Sequence, residues 1–172
     1  LHLHTEFSLA DSTIRVPEKP DEARPEKAKR PNLLSRAVEM KLPALAVTDR
    51  NNLFALIKFY KAAESVGIKP IAGADLSIVD GKESPWQLTL LCRDHVGYLS
   101  LSRLLTRAWM EGHHLDGVAI TPQWLAEDCE GLFAIAGRNS YAGRLAAGGR
   151  HELAEQHLAD LQRSFGENLH LE

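Results

Sequence analysis

Two histidines, His2 and His4, stand on either side of a single leucine in the opening segment LHLH. Side chains two residues apart in an extended segment project to the same side, so the two imidazoles should point together. Asp11 follows at the end of FSLAD, near enough in sequence to return to them. Two imidazoles and a carboxylate suit Zn, Mn or Fe, and such a metal could activate a water to attack a phosphoester. Taken alone, the His-x-His pattern is more often two ordinary surface histidines than a pair of metal ligands.

Three further carboxylates follow apolar segments that predict strands: Asp49 after LPALAVT, Asp75 after IKPIAGA and Asp94 after WQLTLLCR. Active sites of α/β folds gather at the carboxyl ends of strands. The same residue type also caps the helix that follows a strand. Capping is the favoured interpretation for Asp94, and for Asp49 and Asp75 both interpretations stay open.

The elements that must position these residues alternate along the chain. Predicted strands such as LPALAV, WQLTLLC and GLFAIA are apolar without alternation, which indicates parallel strands covered by helices. The sequence therefore predicts an α/β fold, either a barrel or an open sheet. A short strand is expected over Leu1–Leu3. Helix boundaries are predicted at Asn32 and Thr121 as N-caps, and at Gly67 and Gly112 as helix ends.

The composition is that of a globular protein of one ordinary domain, with 172 residues, 44% hydrophobic and 25% charged. A formal net charge of −3 argues against a nucleic-acid surface spread over the whole chain. Two cysteines without CxxC spacing and no apolar run of membrane length indicate a reducing, cytoplasmic setting. The segment from Ser12 to Pro31 holds four prolines and many charges, and we expect a flexible surface loop without core residues.

The aromatic residues are expected to pack in the core or between helices rather than to stack on bases. These residues are Trp86, Trp109, Trp124, Tyr60 and Tyr98. His151 and His157 lie six residues apart on a predicted helix, which is not the spacing of a helical metal pair.

Four segments, in order and spacing, carry a resemblance to a known family: LHLHTEFSLAD, LPALAVTDRNNL, GIKPIAGADL and LTLLCRDHVGYLSLSRL. They resemble the polymerase and histidinol phosphatase (PHP) domain, and most closely the PHP domains of the alpha subunits of bacterial DNA polymerase III. The resemblance implies a distorted (β/α)7-type barrel with metal ions at the carboxyl ends of its strands. A whole (β/α) barrel has about 250 residues, and the chain begins at Leu1 rather than Met. We therefore expect residues 1–172 to be an incomplete PHP barrel, the N-terminal part of a larger polymerase chain.

The resemblance transfers only part of the metal site. His2, His4 and Asp11 match the first motif, and Asp49 and Asp75 stand near further acidic positions. Where metal-binding members have a histidine after the TD of the second motif, this chain has Arg50, whose guanidinium stays protonated and offers no lone pair.

Two further positions depart from the pattern of metal-binding members. Asp75 stands where they present a glutamate, and Gln87 stands where a histidine often precedes LTLL. Arg50 can instead pair with Asp11 or Asp75 and fill the place of the metal. We therefore expect a degenerate site in which His2, His4, Asp11, Asp49 and Asp75 are vestigial ligands and Arg50 and Gln87 disrupt the site.

Two functions of different classes follow from the resemblance. The first is a non-catalytic module of a replicative polymerase, which needs no cofactor of its own and offers a docking surface for the proofreading exonuclease subunit. The rest of that polymerase chain would perform Mg-dependent DNA-directed nucleotidyl transfer in DNA replication and would reach the sliding clamp and DNA. The alternative is a phosphoesterase, either a 3′–5′ exonuclease or a pyrophosphatase, with Zn, Mn or Mg at His2, His4 and Asp11. A free-standing phosphatase of histidinol-phosphate type is the third and least favoured interpretation.

Overall fold

The computed structural model describes residues 2–9, 11–81, 84–114 and 117–172. The chain divides into two compact units, Leu1–Ala74 and Asp75–Glu172. None of the helices within the described ranges is long and apolar enough to cross a membrane.

The first unit consists of a short 3-10 helix, two α-helices and a pair of parallel strands. Its elements are the 3-10 helix Pro20–Ala23, α1 (Leu33–Glu39), β1 (Ala44–Val47), α2 (Leu56–Ser65) and the first part of β2 (Lys69–Ile78). β1 and β2 run parallel, from the pair Ala44 and Lys69 to the pair Val47 and Ala72. This part of the chain thus has the strand, helix, parallel strand order that the sequence predicts.

Local residue chemistry sets the helix ends in this unit. The Asn32 side chain accepts from the backbone N–H groups of Leu34 and Ser35, and Ser35 returns a bond to Asn32, which forms a capping box. Gly67 follows α2 with a φ of 73°, a left-handed conformation that favours glycine. Both predicted boundaries are confirmed. The N-cap of α2 is Ala55, whose side chain forms no capping hydrogen bond.

The proline-rich segment 12–31 contributes to the core of the first unit, so the expectation that it holds no core residue was wrong. Val16 is 2% exposed and Ala23 is fully buried, and both pack in one cluster with Leu34 and Phe59. The 3-10 helix that carries Ala23 also lies against α1 and α2. Overall composition could not show this, because two small apolar residues among many charges are enough to fix a loop to a core.

The second unit begins within β2 and contains most of the helices. Its further elements are β3 (Trp86–Cys92), α3 (His95–Glu111), β4 (His113–His114), β5 (Gly117–Val118), α4 (Pro122–Glu127), β6 (Leu132–Ala136), α5 (Tyr141–Ala147), α6 (His151–Phe165), the 3-10 helix Gly166–Asn168 and β7 (Leu169–Leu171). Thr121 caps α4 with Pro122 at its first position, and α3 ends at Gly112, both as predicted.

The strands of the second unit are ordered β2, β3, β6, β7 and are not all parallel. β3 and β6 run antiparallel, with Thr89 opposite Ile135 and Cys92 opposite Leu132. β6 and β7 run parallel. The α/β class is confirmed, but the expectation of parallel strands throughout was wrong. A strand that is buried on both faces is apolar in either direction, so its sequence does not reveal whether its neighbour runs parallel.

Candidate functional site

His2 and His4 project together from an extended segment at the start of the first unit. Their ring centroids are 5.1 Å apart with an angle of 68° between the ring planes. The backbone between them is fixed to β1, because the Leu3 N–H donates to Thr48 Oγ1 at 2.9 Å and the Thr48 N–H donates to the Leu3 carbonyl at 2.8 Å. Of the strand predicted at Leu1–Leu3, Leu1 lies outside the described residues, and His2 and Leu3 belong to no strand. The extended geometry nevertheless aligns the two imidazoles.

The loop after His4 brings Asp11 back toward the histidines. The Ser12 hydroxyl donates to the His4 carbonyl at 2.8 Å, and the Asp11 N–H donates to the Ser8 carbonyl at 3.0 Å. Asp11 Oδ2 lies 3.9 Å from His4 Nδ1, and the Asp11 side chain is 29% exposed. A short sequence separation therefore places one carboxylate beside one of the two imidazoles.

Arg50 pairs with the same oxygen of Asp11. Arg50 Nη2 lies 2.9 Å from Asp11 Oδ2, closer than His4 does. The backbone of Arg50 is fixed on both sides, because its N–H donates to Ser8 Oγ at 3.0 Å and its carbonyl accepts from Asn52 Nδ2 at 2.9 Å. Asn51, the next residue, has a φ of 51°. The guanidinium thus occupies the position from which a cation would contact this carboxylate.

Asp49 directs both carboxylate oxygens to the loop that carries the histidines. Oδ1 accepts from the Thr5 N–H at 2.7 Å and from the Ser8 hydroxyl at 2.6 Å, while Oδ2 accepts from the Thr5 hydroxyl at 2.7 Å. Asp49 is 1% exposed, and it caps no helix. Because three donors converge on a buried carboxylate, its evident role is to fold the loop from Thr5 to Ser8 against β1.

The other two sequence candidates belong to the second unit. Asp75 lies inside β2 rather than beyond its end and caps no helix, so its expected place after the strand and the capping interpretation were both wrong. It is 1% exposed and accepts from the Thr89 hydroxyl of β3 at 2.6 Å. Gln87 is the second residue of β3, and its backbone N–H donates to the Asn139 carbonyl at 3.1 Å. Asp94 caps α3, as predicted, through a bond from the Gly97 N–H.

Sequence reasoning missed the residues that hold the site together. Thr5, Ser8 and Asn52 are at most 7% exposed, and their side chains connect the histidine loop to the segment after β1. Asn52 Nδ2 donates to the Phe7 carbonyl at 3.1 Å, besides its bond to Arg50. Hydroxyl and amide residues close to a predicted ligand motif were the available signal, but their partners lie on another loop.

Neither cysteine of the chain has the properties of a reactive thiol. Cys92 and Cys129 are free cysteines. Burial, together with the nearby Asp94 carboxylate, raises the pKa of the Cys92 thiol to about 11. Burial also raises the pKa of Cys129. A nucleophilic or metal-binding cysteine needs a lowered pKa, so neither residue suits such a role.

The set formed by His2, His4 and Asp11 does not fit a metal centre while Arg50 is paired with Asp11. A divalent ion bound by His2, His4 and Asp11 would have to share Asp11 Oδ2 with a permanent positive charge 2.9 Å away. The arrangement can fix loops through an ion pair and hydrogen bonds.

The PHP domain family matches this chain over residues 1–172, and the chain belongs to that family. The match confirms the PHP assignment.

Named relatives come from bacterial polymerases. The chain is 67% identical over 173 residues to the DNA polymerase III subunit alpha of Xylella fastidiosa and 37% identical over 176 residues to that of Pseudomonas aeruginosa. It is also 33% identical over 176 residues to the subunit from Escherichia coli. Each match covers 100% of this chain and 14% of the relative, so the chain spans about a seventh of the length of these proteins.

A solved structure is also similar to this chain. It is described as a metal-dependent phosphoesterase from Bifidobacterium adolescentis, with 17% sequence identity and a TM-score of 0.40. The similarity covers 62% of this chain and 31% of that protein.

Proposed function

We propose that this chain is the PHP domain of a bacterial replicative DNA polymerase alpha subunit, and that it acts there as a non-catalytic structural and docking module. The proposal is supported by membership of the PHP family and by relatives named as DNA polymerase III subunit alpha. The parent chain would carry out Mg-dependent nucleotidyl transfer in DNA replication, in the cytoplasm. The partners would be the rest of that chain, a proofreading exonuclease subunit and, through the parent, the sliding clamp and DNA.

The ion pair between Arg50 and Asp11 carries the non-catalytic part of this proposal. Its 2.9 Å separation and the fixed backbone of Arg50 place a guanidinium on the carboxylate next to His4. An arginine cannot release its proton to become a ligand, and a second cation beside it would be repelled. The pair satisfies Asp11 without a metal, so the vestigial ligands His2, His4 and Asp11 retain a structural use.

Metal binding by a restored ligand set tests the proposal. Arg50→His, alone and together with Gln87→His, replaces the two disrupting residues in the full-length alpha subunit. We expect the original protein to carry no stoichiometric Zn or Mn at this domain after purification without chelator, measured by elemental analysis. We expect the double variant to bind Mn²⁺ at least about tenfold more tightly in calorimetry, because losing or gaining one ligand-shell residue changes affinity by that order.

Arg36→His is the matched control for these variants. Arg36 is an exposed arginine of α1 whose side chain pairs with Glu39, so it changes the same residue type away from the site. We expect no gain in Mn²⁺ affinity from it. A stoichiometric metal at this domain in the original protein would overturn the non-catalytic assignment, and an equal gain from Arg36→His would remove the role given to Arg50.

A phosphoesterase is the second candidate, and the pairing of the imidazoles favours it. His2 and His4 lie side by side at 5.1 Å between ring centroids, with Asp11 3.9 Å from His4, as an inherited metal site would have them. This function requires Mn²⁺-stimulated release of nucleotides from single-stranded DNA, or hydrolysis of pyrophosphate, that is abolished by His4→Ala. We expect neither activity, and its detection would reverse the order of the two candidates.

A further inference from the structure

A cavity of about 370 Å³ lies in the second unit. It is half open to solvent and is lined by residues of α4, α5, α6 and the start of β3, together with Asp80 just after β2. A volume of a few hundred Å³ is typical of small-molecule sites. The residues that line it combine three aromatic rings with charged groups.

The three aromatic side chains form one cluster at the cavity wall. The His157 ring lies edge-to-face against Trp86 at 4.9 Å and against Tyr141 at 5.1 Å, measured between ring centroids. Trp86 and Tyr141 are 6.2 Å apart. Trp86 is 2% exposed, whereas Tyr141 and His157 are half-buried, so these two rings are the accessible part of the cluster.

The charged groups of the cavity favour a cation. Asp80 and Asp160 supply two carboxylates, and Arg163 supplies one guanidinium, which pairs with Asp160. The lining therefore carries more negative than positive charge. Aromatic faces attract cations through their quadrupole, and the attraction is stronger in a partly enclosed site.

The same unit already shows how it binds a guanidinium. The Arg107 guanidinium carbon lies 4.5 Å from the centre of the Trp124 ring, and Arg107 Nη1 pairs with Glu127 at 2.7 Å. One indole face and one carboxylate are enough to hold that group. The cavity offers the same two chemistries, with aromatic rings and the exposed carboxylate of Asp80.

We propose that the cavity between α4, α5 and α6 binds a guanidinium group, as a free small molecule or as an arginine side chain of a partner protein. The planar group would stack on the half-buried rings of Tyr141 and His157 and pair with Asp80, while apolar residues such as Leu125 and Leu161 accept its aliphatic stem. This site is independent of the function proposed above, because none of its residues belongs to the histidine loop.

Fluorine NMR of the chain labelled with 5-fluorotryptophan tests the proposal. The chain has three tryptophans, and Trp109→Phe and Trp124→Phe assign two of the signals, so the third belongs to Trp86. The probes are N-acetyl-arginine amide and the peptide Gly-Gly-Arg-Gly-Gly. We expect the Trp86 signal to shift saturably with both probes and the Trp109 signal to stay constant. Tighter binding of the peptide would indicate a partner side chain, and equal binding would indicate a small molecule.

Two substitutions locate the binding in the cavity. Asp80→Asn removes the rim carboxylate and should weaken binding about threefold. Tyr141→Leu removes one ring and should weaken it by a similar factor of about three. Glu152→Gln, on α6 but outside the cavity lining, is the control and should leave binding unchanged.

Three results would overturn the proposal. The first is no saturable shift of the Trp86 signal at millimolar probe. The second is equal binding by the original chain and by both cavity variants. The third is a shift of Trp86 by inorganic phosphate or by N-acetyl-lysine amide as large as that by the arginine probes, which would assign the cavity to anions or to cations in general.

Discussion

At the scale of single residues, the two carboxylates of the site, Asp11 and Asp49, have different partners. Asp11 Oδ2 contacts Arg50 at 2.9 Å and His4 at 3.9 Å, while Asp49 is surrounded by hydroxyl and N–H donors. The two acids had been grouped in the sequence as vestigial ligands. Their environments separate them, because one forms a half-exposed ion pair and the other is buried as the acceptor that shapes a loop.

The burial of Asp49 predicts a large cost for its removal. In Asp49→Asn an amide N–H₂ replaces one oxygen and faces the donors of Thr5 or Ser8, so a buried donor loses its acceptor. We expect the free energy of unfolding to fall by about 2 kcal/mol, measured by urea denaturation. Asp11→Asn is the control, since an exposed pair contributes about 1 kcal/mol or less. A smaller effect at Asp49 than at Asp11 would contradict the role assigned here.

At the scale of elements, the start of α3 is set by local chemistry and by a close backbone contact. Asp94 caps the helix, and the bond from the Gly97 N–H, followed by the Arg93 side chain, lowers the pKa of Asp94 below its usual 3.8. Gly97 lies against Gly131, which has a φ of 73°. The first feature is visible in the sequence, and the second is not.

The cap of α3 predicts a pH-dependent contribution to stability. The lowered pKa of Asp94 means that the folded state favours the carboxylate, so the stabilisation is present above pH 3.8 and is lost as the pH falls through the lower folded pKa. We expect Asp94→Ala to lower the melting temperature at pH 7, and the deficit to shrink between pH 3.8 and pH 2. Circular dichroism melts over this range measure it. Asp94→Asn keeps a capping side chain that does not titrate, so its stability relative to Asp94→Ala should not depend on pH. A pH-dependent difference in melting temperature between these two variants would contradict the assignment.

The contact between Gly97 and Gly131 predicts a strict limit on side-chain size. A methyl group at Gly97 would overlap the Gly131 carbonyl, which is backbone and cannot rotate away. We expect Gly97→Ala to destabilise the chain by about 2 to 3 kcal/mol in denaturant unfolding. Gly148→Ala is the control, because its methyl would make ordinary contacts at 3.4 Å or more. Equal stability of the two variants would show that α3 can shift away from Gly131.

At the scale of the whole molecule, the chain divides into two compact units, and β2 runs from the first into the second. The core of the first unit includes Val16, Leu34 and Phe59, and its loops are tied by the Asp49 and Asn52 hydrogen bonds. The ion pair at Arg50 closes the histidine loop onto the end of β1.

Thermal unfolding with and without metal tests whether the folded protein binds Mn²⁺. We expect the melting temperature to be the same in EDTA and in 1 mM MnCl₂. A working metal site would give a different result, because an ion at a hundredfold excess over its Kd stabilises the folded state by about 2.7 kcal/mol. The Arg50→His, Gln87→His double variant should gain Mn²⁺-dependent stabilisation. A rise in the melting temperature of the original protein on addition of Mn²⁺ would contradict the proposed degenerate site.

The sequence by itself determined the features that depend on neighbouring residues. The caps at Asn32, Asp94 and Thr121 and the helix end at Gly67 follow from side chains a few positions from the backbone that they serve. The PHP family also follows from motif order, and so does the substitution of Arg50 for a histidine. These features need only the identity and spacing of residues along the chain.

Tertiary structure alone decided which distant groups meet. It brought Arg50 onto Asp11, buried Val16 and Ala23 from a charged loop, turned β6 antiparallel to β3 and gathered Trp86, Tyr141 and His157 around a cavity. Each of these contacts joins segments separated by a helix, a strand or a long loop. Local propensity is the same for either outcome, so only the packing of the whole chain can select between them.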